Sequence, residues 1–185
     1  ANMLSVTGDG RKLALDQRLI DPLLPDDPGN KTNACAERVH RIWLEKKEKR
    51  LTLMLFCDLS TPRGEEEYSV YQDMKSKLVS MGIPEWEIAF VHDAKSDVQK
   101  EVLFGKVRSG SIRILMGSTA KMGAGTNVQR LLYALHDLDV PWRPRDLTQR
   151  HGRILRQGNE NEEVEIYRYV TEGTFDAYSY QILEN

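Results

Sequence analysis

Cysteine is scarce in this sequence, and neither sign of charge is in marked excess. The 185 residues include 2 cysteines, and the formal net charge is −2 at pH 7. Cys35 and Cys57 lack the paired spacing of zinc ligands, so we expect reduced thiols rather than a disulfide or a zinc site. Because the charges nearly balance, the chain is not a polycation, and any contact with nucleic acid must be local.

Long apolar runs are absent as well. No stretch approaches the roughly 20 apolar residues of a membrane-spanning helix. The opening stretch ANMLSVTGDGRKLALDQ lacks the apolar core of a signal peptide. With 40% hydrophobic and 29% charged residues, the composition is that of a globular protein with a core of ordinary size, and we expect it in the cytoplasm.

Strand-like and helix-like segments alternate along the chain. Apolar runs of strand length are LTLMLFCD, IAFVH, IRILMG, RLLYALHDLD and EVEIYRYV. Helices are predicted at about 32–49 and within GEEEYSVYQDMKSKLVSMG, DVQKEVLFGKVRSG and TFDAYSYQILEN. This alternation predicts an α/β fold, an open and mostly parallel sheet with helices on both faces. Ligands bind such a sheet at the carboxyl ends of its strands.

The beginning of the chain has a different composition from the rest. The stretch DPLLPDDPGN holds three prolines and one glycine in ten positions, which indicates a loop. We therefore expect a linker-like arm at 1–31 and a single folded domain at 32–185.

The segment GSTAKMGAGTNVQ follows directly after a predicted strand. Its glycines allow a tight turn and a close approach to a ligand, and its polar side chains can contact a phosphate or a ribose. The residues concerned are Gly123, Gly125, Ser118, Thr119 and Asn127. The spacing fits neither a Walker A loop nor the dinucleotide-binding pattern G-x-G-x-x-G. An ordinary strand-to-helix turn is the alternative.

The segment QRHGRILRQGN places three arginines within seven residues. If residues 145–156 form a helix, Gln149, Arg153 and Arg156 share one face, and Gly158 ends the helix. Two guanidiniums one turn apart can grip a triphosphate, because each donates in-plane hydrogen bonds that lysine cannot copy. The alternative is a solvated basic face that makes salt bridges.

Together these segments resemble a known family. QRHGRILRQG resembles motif VI of the superfamily 2 helicases and translocases, whose pattern is Q/H-R-x-G-R-x-x-R, and STAKMGAGTNVQ resembles motif V of the Snf-type branch. LTLMLFCD resembles motif IV, IAFVHDA the strand that follows it, and YRYVTEGTFDAY the strand and helix that close the lobe. The resemblance covers roughly residues 33–185. The stretch HDLDVPWRPRDLTQRHGRILRQGN is similar to the helicase region of large DNA methylase/helicase proteins of phages and conjugative elements.

The resemblance implies a RecA-like second lobe of the P-loop NTPase type, with ATP bound between it and a first lobe. Arg153 and Arg156 match the arginine fingers that reach the γ-phosphate across the cleft. Such a finger is worth about three to five orders of magnitude in rate in GTPases. Gln149 matches the residue that helps to orient the phosphate or the attacking water.

The remaining contacts follow from the same resemblance. It assigns nucleotide contacts to Gly123, Gly125 and Asn127. It assigns contacts with the DNA backbone to Ser118, Thr119, Lys121 and Arg150. His151 stands where relatives often carry an acid, and we expect an exposed helix residue there.

Two ATP-binding motifs are absent from the sequence. There is no Walker A lysine and no D-E-x-[DH] box, and these groups bind most of the ATP and its Mg²⁺. We therefore expect that this chain alone is not an ATPase and supplies no metal site. The N-terminal lobe is expected to precede it in a longer polypeptide and to hold most of the Mg²⁺.

Two functions of other classes remain open. One is a non-catalytic nucleic-acid-binding module in which Arg143, Arg145 and Arg150 contact phosphates. The other is a Rossmann-type enzyme for a small molecule, which the lack of a dinucleotide fingerprint and of an acidic ribose ligand disfavours.

The tetrapeptide DVPW at 139–142 differs from a methylase motif. Adenine-specific DNA methylases use [DNS]-P-P-[YFW] to hold a flipped base, and here Val140 replaces the first proline. We expect a turn with Trp142 packed against the domain.

Overall fold

The computed structural model of the chain describes residues 10–62, 68–122, 126–141 and 143–171. One sheet of parallel strands, in the order β2-β3-β1-β4-β5, forms the centre of this part. The strands are β1 (Thr52–Phe56), β2 (Ile88–Phe90), β3 (Ile114–Gly117), β4 (Leu132–Asp137) and β5 (Glu165–Arg168). The predicted α/β fold with an open parallel sheet is confirmed.

Helices connect the strands on both faces of the sheet. They are α1 (Lys31–Glu45), α2 (Val70–Ser80), α3 (Asp97–Arg108), α4 (Thr119–Met122) and α5 (Pro144–His151). Short 3-10 turns lie at Gln17–Leu19, Glu85–Glu87, Val91–Asp93 and Gln129–Leu131. Residues 64–67, the first part of the stretch GEEEYSVYQDMKSKLVSMG, and the predicted helix in TFDAYSYQILEN lie outside the described residues.

The central strand β1 is buried along its whole length because helices cover both of its faces. Leu53 and Leu55 point into one core, which α1 and α2 complete with Val39, Tyr71 and Met74 among others. The alternate residues Met54 and Phe56 point into a second core on the other face, with side chains from α3. The continuous apolar run in the sequence therefore corresponds to a strand between two apolar layers.

Part of the predicted arm packs against the domain. Leu15 is fully buried in the core that contains α1 and α2. Arg18 forms ion pairs with Asp16, Asp26 and Asp73, at 2.7, 3.1 and 3.0 Å, and so joins this segment to α2. The boundary between an arm and a domain near residue 31 stays a prediction.

The helix predicted at 145–156 is shorter than expected. It ends at His151, where Gly152 forms the C-cap, and residues 152–158 continue as turns. Gly158 was predicted to end the helix. It has a positive φ of 97° and ends the turn segment instead. The prediction that Gln149, Arg153 and Arg156 share one helical face is therefore wrong, because Gly152 ends the helix before the two arginines.

No helix in the described ranges is long and apolar enough to cross a membrane.

Candidate nucleotide and nucleic-acid site

The carboxyl ends of three neighbouring strands bring polar side chains together. Asp58 follows β1, Thr119 follows β3, and Asp137 and Asp139 lie at and after the end of β4. The parallel arrangement puts all of them at one edge of the sheet, where ligands of such folds bind. Helix α5 packs over this edge and inserts Arg150 among them.

Arg150 is fully buried, and oxygen atoms of these residues surround its guanidinium. Its guanidinium lies 2.8 Å from a carboxylate oxygen of Asp139, 3.0 Å from one of Asp58 and 3.2 Å from one of Asp137. Nε also donates to the hydroxyl of Thr119 at 2.9 Å, and Nη1 donates to the carbonyl oxygen of Asp139 at 2.8 Å. Burial alone would lower the pKa of Arg150, but the charges of these carboxylates raise it above its ordinary value.

These contacts correct the prediction that Arg150 touches the DNA backbone. A guanidinium with no exposed surface, whose donors are directed at protein oxygens, does not reach a DNA phosphate. The expectation that His151 is an exposed helix residue is also wrong. Its Nε2 lies 2.6 Å from Oδ2 of Asp137, and its side chain is 15% exposed.

A cleft of about 440 Å³ opens beside this buried group. Its lining includes three of the predicted site residues, Ser118, Thr119 and Gln149. Lys121 is exposed on α4, and its backbone N–H donates to the hydroxyl of Ser118 at 3.1 Å. The lining also contains Asp58, Asp146 and Arg143, so the opening at the carboxyl edge of the sheet is polar and carries charges of both signs.

Arg153 and Arg156 lie in the turn segment after α5. Arg153 is buried to 3% exposure, whereas Arg156 is half-buried. Burial lowers the pKa of Arg153, and the positive charge of Arg156 lowers it further. Both arginines therefore belong to one short segment directly after α5.

The loop that contains the predicted nucleotide contacts approaches the same segment. Arg156 Nη1 donates to the carbonyl oxygen of Thr126 at 2.6 Å. The next residue, Asn127, is exposed, and its carbonyl oxygen accepts from Arg108 Nη1 at 2.8 Å. Gly123 and Gly125 lie outside the described residues.

No group of three or more metal-ligating side chains suits a metal ion in the described part of the chain. The three aspartates at the sheet edge face Arg150 instead. Burial alone would raise the pKa of Asp139, but the charge of Arg150 and the hydrogen bonds to Asp139 lower it. The described residues therefore do not fit Mg²⁺.

The sequence also matches a known family. Residues 34–158 match the family described as "Helicase conserved C-terminal domain", which is more than half of the chain. The chain belongs to this helicase family.

This chain matches short parts of two much longer proteins. The "Defense against restriction protein B" of Escherichia phage P1 is 29% identical over 100 residues, which are 51% of this chain and 4% of that protein. An uncharacterized ATP-dependent helicase of Bacillus subtilis, YqhH, is 35% identical over 89 residues, which are 48% of this chain and 14% of that protein. This chain spans a small part of the length of both relatives.

Solved helicase structures share the fold. The C-terminal part of the Fun30 ATPase domain aligns with a TM-score of 0.63 and 17% identity, over 90% of this chain and 50% of that one. The DUF1998 helicase MrfA bound to DNA aligns with a TM-score of 0.54 and 15% identity, over 80% and 19%. The Hef helicase domain of Pyrococcus furiosus aligns with a TM-score of 0.53 and 15% identity, over 91% and 30%.

Sequence reasoning missed the three aspartates that hold Arg150 in this helicase domain. A signal for them was present, because Asp58, Asp137 and Asp139 each stand at the end of an apolar run of strand length. Parallel strands end at a common edge, so these carboxylates had to lie near one another if their strands were adjacent. The strand order that makes β1 and β4 neighbours is the piece of information that the runs alone do not contain.

Proposed function

We propose that this chain is the second lobe of an ATP-driven DNA helicase or translocase of the Snf type. In this proposal Arg153 and Arg156 act as arginine fingers in an ATPase site that an N-terminal lobe of the same polypeptide completes. The observation that carries the proposal is the place of Arg153 and Arg156 in the turn segment after α5, within the residues 34–158 that match the helicase family.

The chemistry assigned to the arginines is charge stabilisation. As ATP hydrolysis proceeds, negative charge spreads over the oxygens of the transferred γ-phosphoryl group. Arg153 and Arg156 would donate hydrogen bonds to those oxygens, and Gln149 would help to orient the phosphate or the attacking water. Asn127, with Gly123 and Gly125, would contact the nucleotide beside Arg156.

The N-terminal lobe has the complementary role. It would supply most of the contacts to ATP and to Mg²⁺, since the described residues of this chain offer no set of ligands for a metal ion. ATP binding would close the two lobes, and hydrolysis would release them, which moves the pair along a DNA backbone. Duplex translocation without strand separation is compatible with this scheme.

Contacts with DNA are assigned to the cleft at the sheet edge. Ser118 and Thr119 line it, and Lys121 is exposed two residues further along, on α4. Hydroxyl and ammonium groups are typical donors to phosphate oxygens, and they position a protein on DNA without reading its sequence. The similar helicase MrfA was crystallised with DNA.

A narrower proposal concerns the parent protein. The similarity to a defence protein of phage P1 supports an origin in a mobile element. We propose a large, cytoplasmic DNA methylase/helicase polyprotein, in which any methylase activity belongs to a segment other than this one.

The requirement for two lobes is tested by comparing ATP hydrolysis by the purified 185-residue chain and by the longer protein, each with and without DNA. The proposal expects hydrolysis that DNA stimulates in the longer protein, and only background hydrolysis by the chain alone. Steady turnover by the chain alone would contradict the assignment of the first half of the site to another lobe.

The second candidate function is a nucleic-acid-binding module without a role for ATP. The exposed residues Arg143, the N-cap of α5, and Arg145 in its first turn favour it, since Arg143 lines the cleft and neither residue depends on the buried Arg150. Binding of the lone chain to duplex DNA, measured over a range of salt concentrations, tests it. Each phosphate contact adds about −0.9 to the slope of log K against log salt, so a slope of about −3 or steeper would favour the module.

A further inference from the structure

Two consecutive residues fasten the end of α5 to the sheet. Arg150 and His151 both bond to Asp137, through Oδ1 at 3.2 Å and Oδ2 at 2.6 Å. Asp137 is itself fully buried at the end of β4. The last turn of the helix therefore has a fixed place over the carboxyl edge.

The segment with the two arginine fingers starts from this fixed point. The backbone N–H of Arg153 donates to the carbonyl oxygen of Arg150 at 3.1 Å, which makes the first turn after the helix. The next side chain, Ile154, is 1% exposed and packs in the second core. Arg153 thus lies between an ionic anchor before it and an apolar anchor after it.

We propose that Arg150 is a positioning residue for Arg153. It holds the end of α5 so that Arg153 is presented in one orientation, and it does so without touching ATP or DNA itself. This inference rests on the proposed function in one respect, namely that Arg153 is an arginine finger. The orientation of Arg153 can be measured without any hydrolysis.

The charges around Arg150 favour a role in orientation over a role in stability. One guanidinium faces three carboxylates, two of which are fully buried. Buried ion pairs of this kind contribute little net stability, and apolar side chains of similar volume often serve as well. Apolar contacts do not fix a direction, whereas a planar guanidinium bonded at several nitrogens does.

The same guanidinium also contacts the wall of the cleft. Arg150 Nε donates to the hydroxyl of Thr119, and the carboxylate of Asp58 accepts from both the N–H and the hydroxyl of Thr119, at 2.7 and 3.0 Å. Asp58 and Thr119 both line the cleft. Arg150 therefore joins the proposed DNA contact to the finger segment within one layer of side chains.

The orientation of Arg153 is tested by NMR on the 185-residue chain. The heteronuclear NOE of the Arg153 Nε–H group, assigned through the loss of its peak in Arg153→Lys, reports how rigidly that side chain is held. In Arg150→Lys, which keeps the charge but removes the planar fork, we expect this NOE to fall to the value of the exposed Arg145. Arg145→Lys on the same helix is the control and should leave the Arg153 signal unchanged.

A purely structural role gives a different result. It would lower the urea midpoint of Arg150→Lys and leave the Arg153 NOE of the folded protein as it is, and this outcome overturns the proposal. If Arg150→Lys does not fold, Asp58→Asn replaces it, because Asp58 is 29% exposed and asparagine keeps its size. An Arg153 NOE unchanged in Asp58→Asn then overturns the proposal, and a partial fall supports it.

Hydrolysis by the longer protein gives the second readout. Arg150→Lys should lower kcat and kcat/KM together, by about tenfold or more, because a misplaced finger loses an interaction made in the transition state. A rise in KM with kcat unchanged would contradict the positioning role. If Arg153→Ala has no effect on hydrolysis, the proposed function fails, and the NMR result still decides whether Arg150 orients Arg153.

Discussion

His136 is a buried titratable residue on the opposite side of β4 from the arginine site. It is fully buried, its Nδ1 lies 2.7 Å from the hydroxyl of Tyr169, and its ring stacks on Tyr167 with 5.0 Å between centroids. Burial lowers the pKa of His136 to about 3, and the charge of Arg38 contributes to this shift. The folded protein therefore holds a neutral imidazole at any pH near neutrality.

This depressed pKa makes the free energy of unfolding depend on pH. The stabilisation is complete above the unfolded pKa of about 6.5 and is lost as the pH falls toward 3, because only the unfolded state takes up the proton. Between pH 7 and pH 5 the loss should be about 2 kcal/mol. Urea unfolding at several pH values measures this loss. In His136→Phe the free energy of unfolding should fall by about 2 kcal/mol less between pH 7 and pH 5 than it does in the wild type.

The control for this prediction is Tyr169→Phe. It removes the hydroxyl partner but leaves the imidazole buried against Tyr167, so the pH dependence should persist. Equal pH slopes in the wild type and in His136→Phe would show that another group is responsible for the dependence.

At the level of single residues, the sequence does not show which side chains the fold brings together. The motif pattern singled out Arg153 and Arg156, and their role as site residues stays a prediction. The same pattern assigned Arg150 to DNA, since spacing along a chain does not reveal burial. Its three carboxylate partners come from two strand ends that are about 80 residues apart in sequence.

At the level of elements, the strands were easier to predict than the ends of the helices. Apolar runs between turn residues marked each of the five strands of the sheet. Ser96 and Gln99 have the spacing of a capping box at the start of α3, and the hydroxyl of Ser96 accepts from the N–H of Gln99 at 3.1 Å. The side chain of Gln99 accepts from Lys95 rather than from Ser96, so the box is only half formed.

The end of α5 shows why helix ends are difficult. The pattern of polar and apolar residues continues past Gly152, and periodicity alone extends the helix to residue 156. A glycine costs about 1 kcal/mol in a helix interior, and here the chain leaves the helix at that position. Anchoring of Arg150, His151 and Ile154 to the sheet and core decides the direction that follows.

Two glycines at the end of α3 predict opposite effects of the same substitution. Gly105 lies within the helix, and the nearest atom to an added Cβ is the end of the Arg108 side chain at 3.5 Å. Gly105→Ala should therefore raise the free energy of unfolding by about 0.5 to 1 kcal/mol, because alanine loses less backbone entropy on folding. Urea unfolding at constant pH measures this change.

Gly110 is the matched position just beyond the same helix. It has a φ of +79°, and an added Cβ would lie 3.0 Å from Cβ of Arg50 and 3.1 Å from its carbonyl oxygen. Gly110→Ala should lower the free energy of unfolding by about 1 to 2 kcal/mol or more, since L residues are strained in this region. Equal effects of the two substitutions would contradict this description of the turn.

At the scale of the whole molecule, the family assignment and the fold agree. The residues that match the helicase family run from α1 through the turn segment after α5, and they include the carboxyl ends of β1, β3 and β4. The chain as a whole is slightly acidic, while its arginines are concentrated after β4.

The order of the strands and the packing of residues 14–19 could not be predicted from the sequence. Both depend on contacts between distant segments, such as Leu15 with the core of α1 and α2. Motif order along the chain, by contrast, was sufficient for the family.

The most direct test of the central claim is ATP hydrolysis by the longer protein in the presence of DNA, comparing the wild type with Arg153→Ala. The exposed Arg41→Ala on α1 is the matched control. Nucleotide binding by each variant is measured in parallel, so that a loss of turnover is separated from a loss of binding. The account predicts that Arg153→Ala lowers kcat by about three orders of magnitude while nucleotide binding is retained. Unchanged turnover in Arg153→Ala would contradict the finger assignment and would make the nucleic-acid-binding module the better explanation of the arginines.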